Sequence, residues 1–174
     1  MKRIVTATVN NHSGVLNRIT SLFSRRGYNI ESITVGHTET PEISRMTFVV
    51  NVDDKQKAEQ LTKQLNKQID VIKVQDITEQ PMVARELALI RVLTTAQTRS
   101  EITGLIAPFR ATIVDVSKTT MVVQATGDSE KIEALIELLR PYGIKDIART
   151  GTTAFTRGSL TKATSDNKPV SIIN

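Results

Sequence analysis

The order of hydrophobic patterns along the chain constrains its fold more than any other feature. The first ten residues include KRIVTATVN, which alternates apolar and polar side chains as a strand does, and residues 14–26 then repeat apolar groups at helical spacing. Two more alternating stretches, NIESITVGH and ISRMTFVVNV, are separated by the turn-forming ETPE, which predicts a hairpin. A helix capped by Asp53 or Asp54 and a closing strand in IDVIKVQDI complete a βαββαβ unit.

The second half of the chain repeats this order. RELALIRVLT predicts a strand, residues 102–109 predict a helix, and ATIVDVSK and TMVVQATG predict two more strands. Asp128 or Ser129 starts a further helix, which ends at RPYG, and IKDIART predicts a short last strand. The sequence therefore contains two βαββαβ patterns in succession.

Length and pattern together set the domain organisation. A chain of 174 residues allows one medium domain or two small ones. We predict an α+β fold with two ferredoxin-like βαββαβ domains, at residues 1–77 and 85–157. A linker at 78–84 joins them, where Pro81 interrupts the strand pattern, and the polar, irregular residues 158–174 are predicted to form a flexible tail.

Composition excludes several classes of protein. No apolar run approaches the ~20 residues that span a bilayer, and the N-terminus lacks the features of a secretory signal, so we expect neither membrane insertion nor export. The absence of cysteine excludes disulfides and thiol chemistry, which makes the cytoplasm the simplest compartment. The net charge is +5, but residues 140–174 carry six Lys and Arg against two Asp and Glu, so most of the positive charge lies at one end.

Nucleic-acid binding and catalysis are both disfavoured by the residues present. An RNA-recognition motif has the same βαββαβ order, but its central strand carries stacking aromatics, and here that strand has only Phe48, which we predict to be a core residue. With two histidines, His12 and His37, and no phosphate-binding glycine loop or serine elbow, the chain offers no convergent catalytic or metal-binding set. We therefore expect no nucleic-acid partner and no enzymatic activity.

The turn NNHSG, between the first strand and the first helix, is the main candidate for a ligand site. Backbone N–H groups from Ser13 to Val15 lie at the positive end of the helix, and Gly14 has no Cβ to keep a small anion away from them. The alternative is an ordinary turn, in which Gly14 serves the backbone conformation and Ser13 caps the helix.

A longer segment around this turn, NNHSGVLNRITSLFSRRGYNIESITVGHTETPEISRMTFVV, resembles an ACT domain, a small module that senses amino acids. Continued through DVIKVQDIT to IARTGTTAFTRG, the chain up to about residue 158 is similar to the regulatory, or small, subunits of acetolactate synthase. This resemblance implies a non-catalytic homodimer that activates a separate catalytic large subunit in branched-chain amino acid biosynthesis. It also implies feedback inhibition by valine, with thiamine diphosphate, FAD and Mg²⁺ held by the catalytic subunit and no cofactor in this chain.

The residues of the turn suit an amino-acid ligand, which needs donors for its carboxylate and acceptors for its ammonium group. The carbonyl oxygens of Asn11 and Asn29 can accept from an ammonium, and the resemblance implies that the second of these reaches across from the other protomer. The predicted site would then span a dimer formed by edge-strand pairing. Its predicted apolar wall consists of Val15, Leu16, Ile30 and Val35. An apolar pocket discriminates between side chains that differ by one methylene by only ~1–3 kcal/mol, so these residues do not establish a preference for valine over leucine or isoleucine. The resemblance implies that preference.

Two other functions remain as alternatives. A free-standing amino-acid-responsive transcription regulator would need a DNA-reading element, but the sequence shows no helix-turn-helix unit or basic recognition helix. An enzyme in its own right would need a nucleophile, an acid–base pair or a metal set. Turnover by the isolated chain would favour the enzyme, whereas stimulation of a catalytic subunit would favour regulation.

Overall fold

The computed structural model describes residues 1–158 and confirms the first predicted unit. Two helices cover one face of a four-stranded antiparallel sheet with strand order β2-β3-β1-β4. The elements are β1 (Lys2–Asn10), α1 (Val15–Arg25), β2 (Asn29–His37), β3 (Ile43–Asn51), α2 (Lys55–Asn66) and β4 (Val71–Asp76).

The second unit has the same layout, with strand order β6-β7-β5-β8. Two short 3-10 turns follow its helices, at Ala107–Phe109 and Arg140–Tyr142. The remaining elements are β5 (Met82–Leu93), α3 (Thr98–Ile106), β6 (Thr112–Val116), β7 (Thr120–Gly127), α4 (Ser129–Leu139), β8 (Ile144–Arg149) and β9 (Thr153–Thr156). The predicted α+β fold of two ferredoxin-like domains is therefore confirmed.

Each unit has its own hydrophobic core between its helices and the inner face of its sheet. In the first core, the rings of Phe23 and Phe48 lie 4.9 Å apart, and Phe48 is completely buried, as predicted. The second core is built from aliphatic side chains and Met121, with Phe109 and Tyr142 packed at its margin. The regular alternation seen in the sequence places these residues on the inner face.

Aspartate side chains begin the second helix of each unit. The Asp54 carboxylate accepts a hydrogen bond of 2.7 Å from the amide of Lys57. At the start of α4, Asp128 accepts one of 2.9 Å from the amide of Lys131. The sequence left two candidate caps open for each helix, and the structure selects these two, each of which satisfies a free N–H group of the first turn.

The two sheets share β-bulges at corresponding positions. The edge strand of each sheet is irregular, between Ile30 and Ser32 in β2 and between Ile113 and Asp115 in β6. The residue numbers of these bulges differ by 83, from 30 to 113. Strands β4 and β8 also have an extra residue each, Ile72 and Lys145, and these lie opposite positions of the first strands that differ by 83, at residues 8 and 91. An offset of 83 residues therefore aligns the first halves of the two units.

Strand β9 was not predicted from the sequence. It pairs antiparallel with the start of β5, from Met82 opposite Thr156 to Arg85 opposite Thr153. Since β5 begins at Met82, the last three residues of the predicted linker, 82–84, lie within this strand. Apart from Gly158, the predicted tail lies outside the described residues.

Residues 151–155 of the second unit contact the outer face of the first sheet, which is the face away from α1 and α2. The amide of Thr152 donates to the Ser32 hydroxyl at 3.2 Å, and the Thr34 hydroxyl donates to the Thr152 carbonyl at 2.9 Å. Both Thr152 and the neighbouring Ala154 are buried. The two units therefore share a polar interface centred on β2.

Candidate ligand site

The turn before α1 leaves its amide groups open. Gly14 occupies the helix N-cap position with φ of +88°, a left-handed conformation that glycine adopts without steric cost. No side chain caps this helix, so Ser13 does not act as the cap that the alternative interpretation required. Within residues 1–158, the amide of Val15 makes a long hydrogen bond of 3.4 Å to the His12 carbonyl, and the amides of Ser13 and Gly14 have no backbone partner. These N–H groups are available to a ligand.

A positive charge borders the same turn. The Arg18 guanidinium binds the Asp70 carboxylate, with Nε at 2.8 Å and Nη2 at 2.6 Å. The His12 ring approaches the other carboxylate oxygen at 2.9 Å, and Asp70 itself is only 7% exposed. A Cβ on Gly14 would lie 3.1 Å from Nη1 of Arg18, so the guanidinium reaches the edge of the turn. An anion at the open amides would therefore also meet a nearby cation.

Sequence reasoning missed Arg18 and Asp70. The two residues lie 52 positions apart, in the first helix and just before β4, and no local pattern links them. The sequence signal for this pair was Asp70 itself, an acidic residue in IDVIKV immediately before an apolar strand. A carboxylate buried at such a position needs a partner.

Asn11 lies at the turn, directly after β1. Its Nδ2 donates to the Pro41 carbonyl at 2.9 Å and lies 3.1 Å from Nδ1 of His37. These contacts hold the side-chain amide against the β2–β3 loop. Its carbonyl oxygen has no hydrogen-bond partner in the described part of the chain, so it can accept from a ligand.

The predicted apolar residues divide between the core and the surface. The Val15 side chain is 3% exposed and packs in the first core, whereas Leu16 is 45% exposed and Val35 is 47% exposed. Ile30 is partly buried against the core and also lines a cleft of 490 Å³ between the two units, with Glu86, Glu133 and Arg149 on the opposite wall. The Val15 side chain is therefore not available at the turn, whereas Leu16 is exposed in the first turn of α1.

Asn29 and Ile30 lie far from the turn within one chain. Strands β1 and β2 run parallel on either side of β3, so Asn29 aligns with Asn51 and Lys2, at the start of β1. The turn follows the end of β1, eight residues further along at Asn10, which corresponds to about 26 Å of strand. The structure therefore does not bring the two halves of the predicted site together in a single protomer.

Residues 1–158 have neither a metal-binding cluster nor a membrane-spanning helix. No group of three or more His, Asp or Glu side chains has a metal-binding arrangement. None of the helices there combines the length and the apolarity that a bilayer crossing requires.

Known proteins match both units of the chain. Residues 6–73 match the family model of the AHAS small subunit-like ACT domain, and residues 85–158 match the model of the small subunit of acetolactate synthase. The fold and the open turn thus define a two-domain protein with an N-terminal ACT domain. The chain is 68% identical to the acetolactate synthase small subunit of Bacillus subtilis, over 99% of this chain and 100% of that protein. It belongs to the acetolactate synthase small-subunit family.

Other relatives agree with this assignment. A probable acetolactate synthase small subunit from Methanothermobacter thermautotrophicus is 54% identical over 91% of this chain and 94% of its own length. The crystal structure of the acetolactate synthase small subunit from Thermotoga maritima superimposes with a TM-score of 0.83 at 39% identity, covering 92% of this chain and 99% of that one. The likeness thus extends over both units and their connection.

Proposed function

We propose that this chain is the regulatory subunit of an acetolactate synthase in branched-chain amino acid biosynthesis. It binds and activates a separate catalytic large subunit, and it inhibits that subunit when valine is bound. Family membership supports this role. We assign thiamine diphosphate, FAD and Mg²⁺ to the catalytic subunit and no cofactor to this chain. The alternative, an amino-acid-responsive transcription regulator, has no comparable support, because the helices of both described units lie on ferredoxin-like sheets.

The open turn is the observation that carries the valine proposal. The amides of Ser13 and Gly14 would bind the ligand carboxylate, with Arg18 adding a positive charge beside them. The free carbonyl oxygen of Asn11 would accept from the ammonium group. Each charged end of the ligand then has a partner of the right kind.

A homodimer supplies the rest of the proposed site. Strand β2 is an edge strand, and it pairs only with β3 among the strands of residues 1–158. If two copies pair antiparallel through β2, Asn29 of one copy comes opposite His37 of the other, because these residues begin and end the strand. The turn of that second copy adjoins its His37 through Asn11. This pairing closes the distance of about 26 Å that separates the two halves in one chain.

Inhibition follows if valine favours one arrangement of the dimer. A ligand held by both protomers stabilises the arrangement that it fits better, and the catalytic subunit responds to the shift in population. Ser32 and Thr34, on the strand that would form the dimer, also bind the second unit. A movement of β2 would therefore be passed to the second unit directly.

Calorimetric titration of the purified chain with L-valine tests the proposal. We expect saturable binding, stronger than for L-leucine, L-isoleucine or L-serine. Gly14→Asp should abolish it, because the new carboxylate would repel that of the ligand and occupy the space beside Arg18. Gln97→Asp is the matched control, since it places the same side chain at the N-cap of α3 and should leave valine binding unchanged.

The catalytic subunit provides a second measurement. Gly14→Asp should still stimulate it while removing inhibition by valine. Thermal unfolding of the variant shows whether it is folded, which separates loss of the site from loss of structure. If the wild-type chain binds no valine, either alone or with the catalytic subunit, the site assignment is wrong; if it also gives no stimulation, the regulatory role is wrong.

A further inference from the structure

A second cavity lies on the outer face of the first sheet, on the side opposite to the helices. Its volume is 710 Å³, which is within the range of about 300–1,000 Å³ for small-molecule sites. Its walls include Thr8, Thr34, Arg45, Thr47, Ile72 and Phe155. None of these six residues belongs to the open turn, but the cavity is also lined by Val35, a predicted wall residue of the valine site, and by His37, which contacts Asn11.

Arg45 is the most unusual group in this cavity. Its guanidinium lies 4.2 Å from the centre of the Phe155 ring, and Nη2 donates to the Ala154 carbonyl at 3.2 Å. Its Nε is buried without a hydrogen-bond partner in the described residues. Burial also lowers the pKa of this guanidinium from its ordinary value, since the charged form has lost part of its hydration.

Two other arginines show that Arg45 lacks a carboxylate partner, although the Nε of Arg3 is also buried without a hydrogen-bond partner in the described residues. Arg3 is buried but lies 3.0 Å from the Glu79 carboxylate, and Arg149 binds both Glu86 and Glu133. Within residues 1–158, no carboxylate comes within ion-pair distance of Arg45. A partly buried cation with an unsatisfied N–H group is costly unless an anion or another acceptor reaches it.

The rest of the wall indicates what kind of anion fits. Val35, Ile72 and Phe155 are large apolar side chains, each about half exposed, and they leave an apolar surface beside the guanidinium. Lys73 adds a second positive charge. The acidic group on this wall is Glu39, which is solvent-exposed and is therefore a poor acceptor for an ammonium group.

We propose that this cavity binds a small organic monocarboxylate with a branched apolar body and no ammonium group. The carboxylate binds the Arg45 guanidinium, and the apolar body packs against Phe155 and Ile72. Threonine hydroxyls on the sheet can bind a further polar atom, such as the oxygen of a keto group. Occupancy can affect the turn, because His37 lines the cavity and contacts Asn11 at 3.1 Å.

Three probes test this proposal by calorimetry and by amide chemical-shift mapping of the full chain: 3-methylbutanoate, 4-methylpentanoate and 4-methyl-2-oxopentanoate. We expect saturable binding of at least one probe, with shifts at Thr8, Thr34 and Thr47. The neutral analogue 4-methylpentanamide should bind at least tenfold more weakly, because it cannot pair with the guanidinium.

Two variants identify the residues responsible. Arg45→Gln should weaken binding at least tenfold, and Phe155→Ala should weaken it severalfold without unfolding the chain, because the ring is 57% exposed. Arg91→Gln, which changes an exposed arginine on the second sheet, is the control and should have no effect. The proposal is overturned if none of the three probes binds, if the amide analogue binds equally well, or if Arg45→Gln binds normally while remaining folded. Shifts confined to residues 11–16 would also overturn it, since they would place binding at the turn.

Discussion

The starts of the first helices in the two units are equivalent in the fold but differ in chemistry. The offset of 83 residues aligns Gly14 with Gln97, and both are N-cap residues. In the first unit no side chain satisfies the amides at this point. In the second, Thr95 and Thr98 exchange hydrogen bonds, since each hydroxyl accepts from the backbone amide of the other, at 3.2 and 2.9 Å.

This difference shows that the hydrogen bonding of an equivalent helix start depends on the turn sequence rather than on the fold. In the second unit the threonine hydroxyls bond the amides of Thr95 and Thr98, whereas the amides of Ala96 and Gln97, which align with those of Ser13 and Gly14, have no backbone partner within residues 1–158. The start at Gly14 likewise has free amides, with Arg18 nearby. The two units therefore share an architecture and differ in the groups around this point, which are Gly14 and Arg18 in the first and Gln97 and two threonine hydroxyls in the second.

The largest expected effect is a loss of stability on removal of Asp70, a buried aspartate that binds Arg18 and His12 beside the first turn. Asp70 precedes β4, and the corresponding position before β8 is Gly143. Asp70→Ala should lower the free energy of unfolding by about 2 kcal/mol, less than for a fully buried pair because Arg18 and His12 are each about half exposed. Urea unfolding at fixed protein concentration measures this loss. Asp146→Ala, at an exposed aspartate of β8, should change stability by less than about 0.5 kcal/mol. Equal losses in both variants would show that the first turn needs no special support.

The outer faces of the two sheets provide the second contrast. Thr34→Val removes the hydrogen bond to the buried Thr152 carbonyl while preserving side-chain shape, and should cost about 1–2 kcal/mol. Thr126→Val makes the same change at an exposed position of β7 and should have little effect. Thermal unfolding of both variants measures the difference. If Thr34→Val proved neutral, the contact between the units would contribute little to stability.

The smallest effect concerns the caps themselves. Thr98→Ala removes the hydroxyl that accepts from the Thr95 amide and should cost about 1 kcal/mol. Ser13→Ala should have almost no effect on stability, because the Ser13 side chain does not cap α1. Urea midpoints for the two variants compare them directly. A loss of about 1 kcal/mol in Ser13→Ala would mean that the first turn is capped after all.

The sequence predicted the fold well because the deciding information is local. Alternation identified the strands, helical spacing identified α1 and α4, and short polar side chains marked the caps at Asp54 and Asp128. Strand β9 was missed because TAFT has little pattern of its own and pairs with β5, some 70 residues earlier. These residues adopt a strand because of their partner, which local propensity does not reveal.

Only part of the candidate site could be found in the same way. Gly14 and Asn11 lie within a few residues of each other, so the turn was visible in the sequence. The Arg18–Asp70 pair depends on tertiary contact between α1 and the start of β4. The distance between Asn29 and the turn follows from strand order, which a pattern of elements does not specify completely.

The paired β-bulges bear on the ancestry of the molecule. The extra residues of β2 and β6, Glu31 and Val114, are 83 positions apart, and those of β4 and β8, Ile72 and Lys145, lie opposite positions of β1 and β5 that are also 83 apart. Side chains at aligned positions have diverged, as at Gly14 and Gln97, yet the insertions remain. The two units therefore have the same backbone irregularities in corresponding strands, which is the pattern that duplication of one ancestral domain would leave.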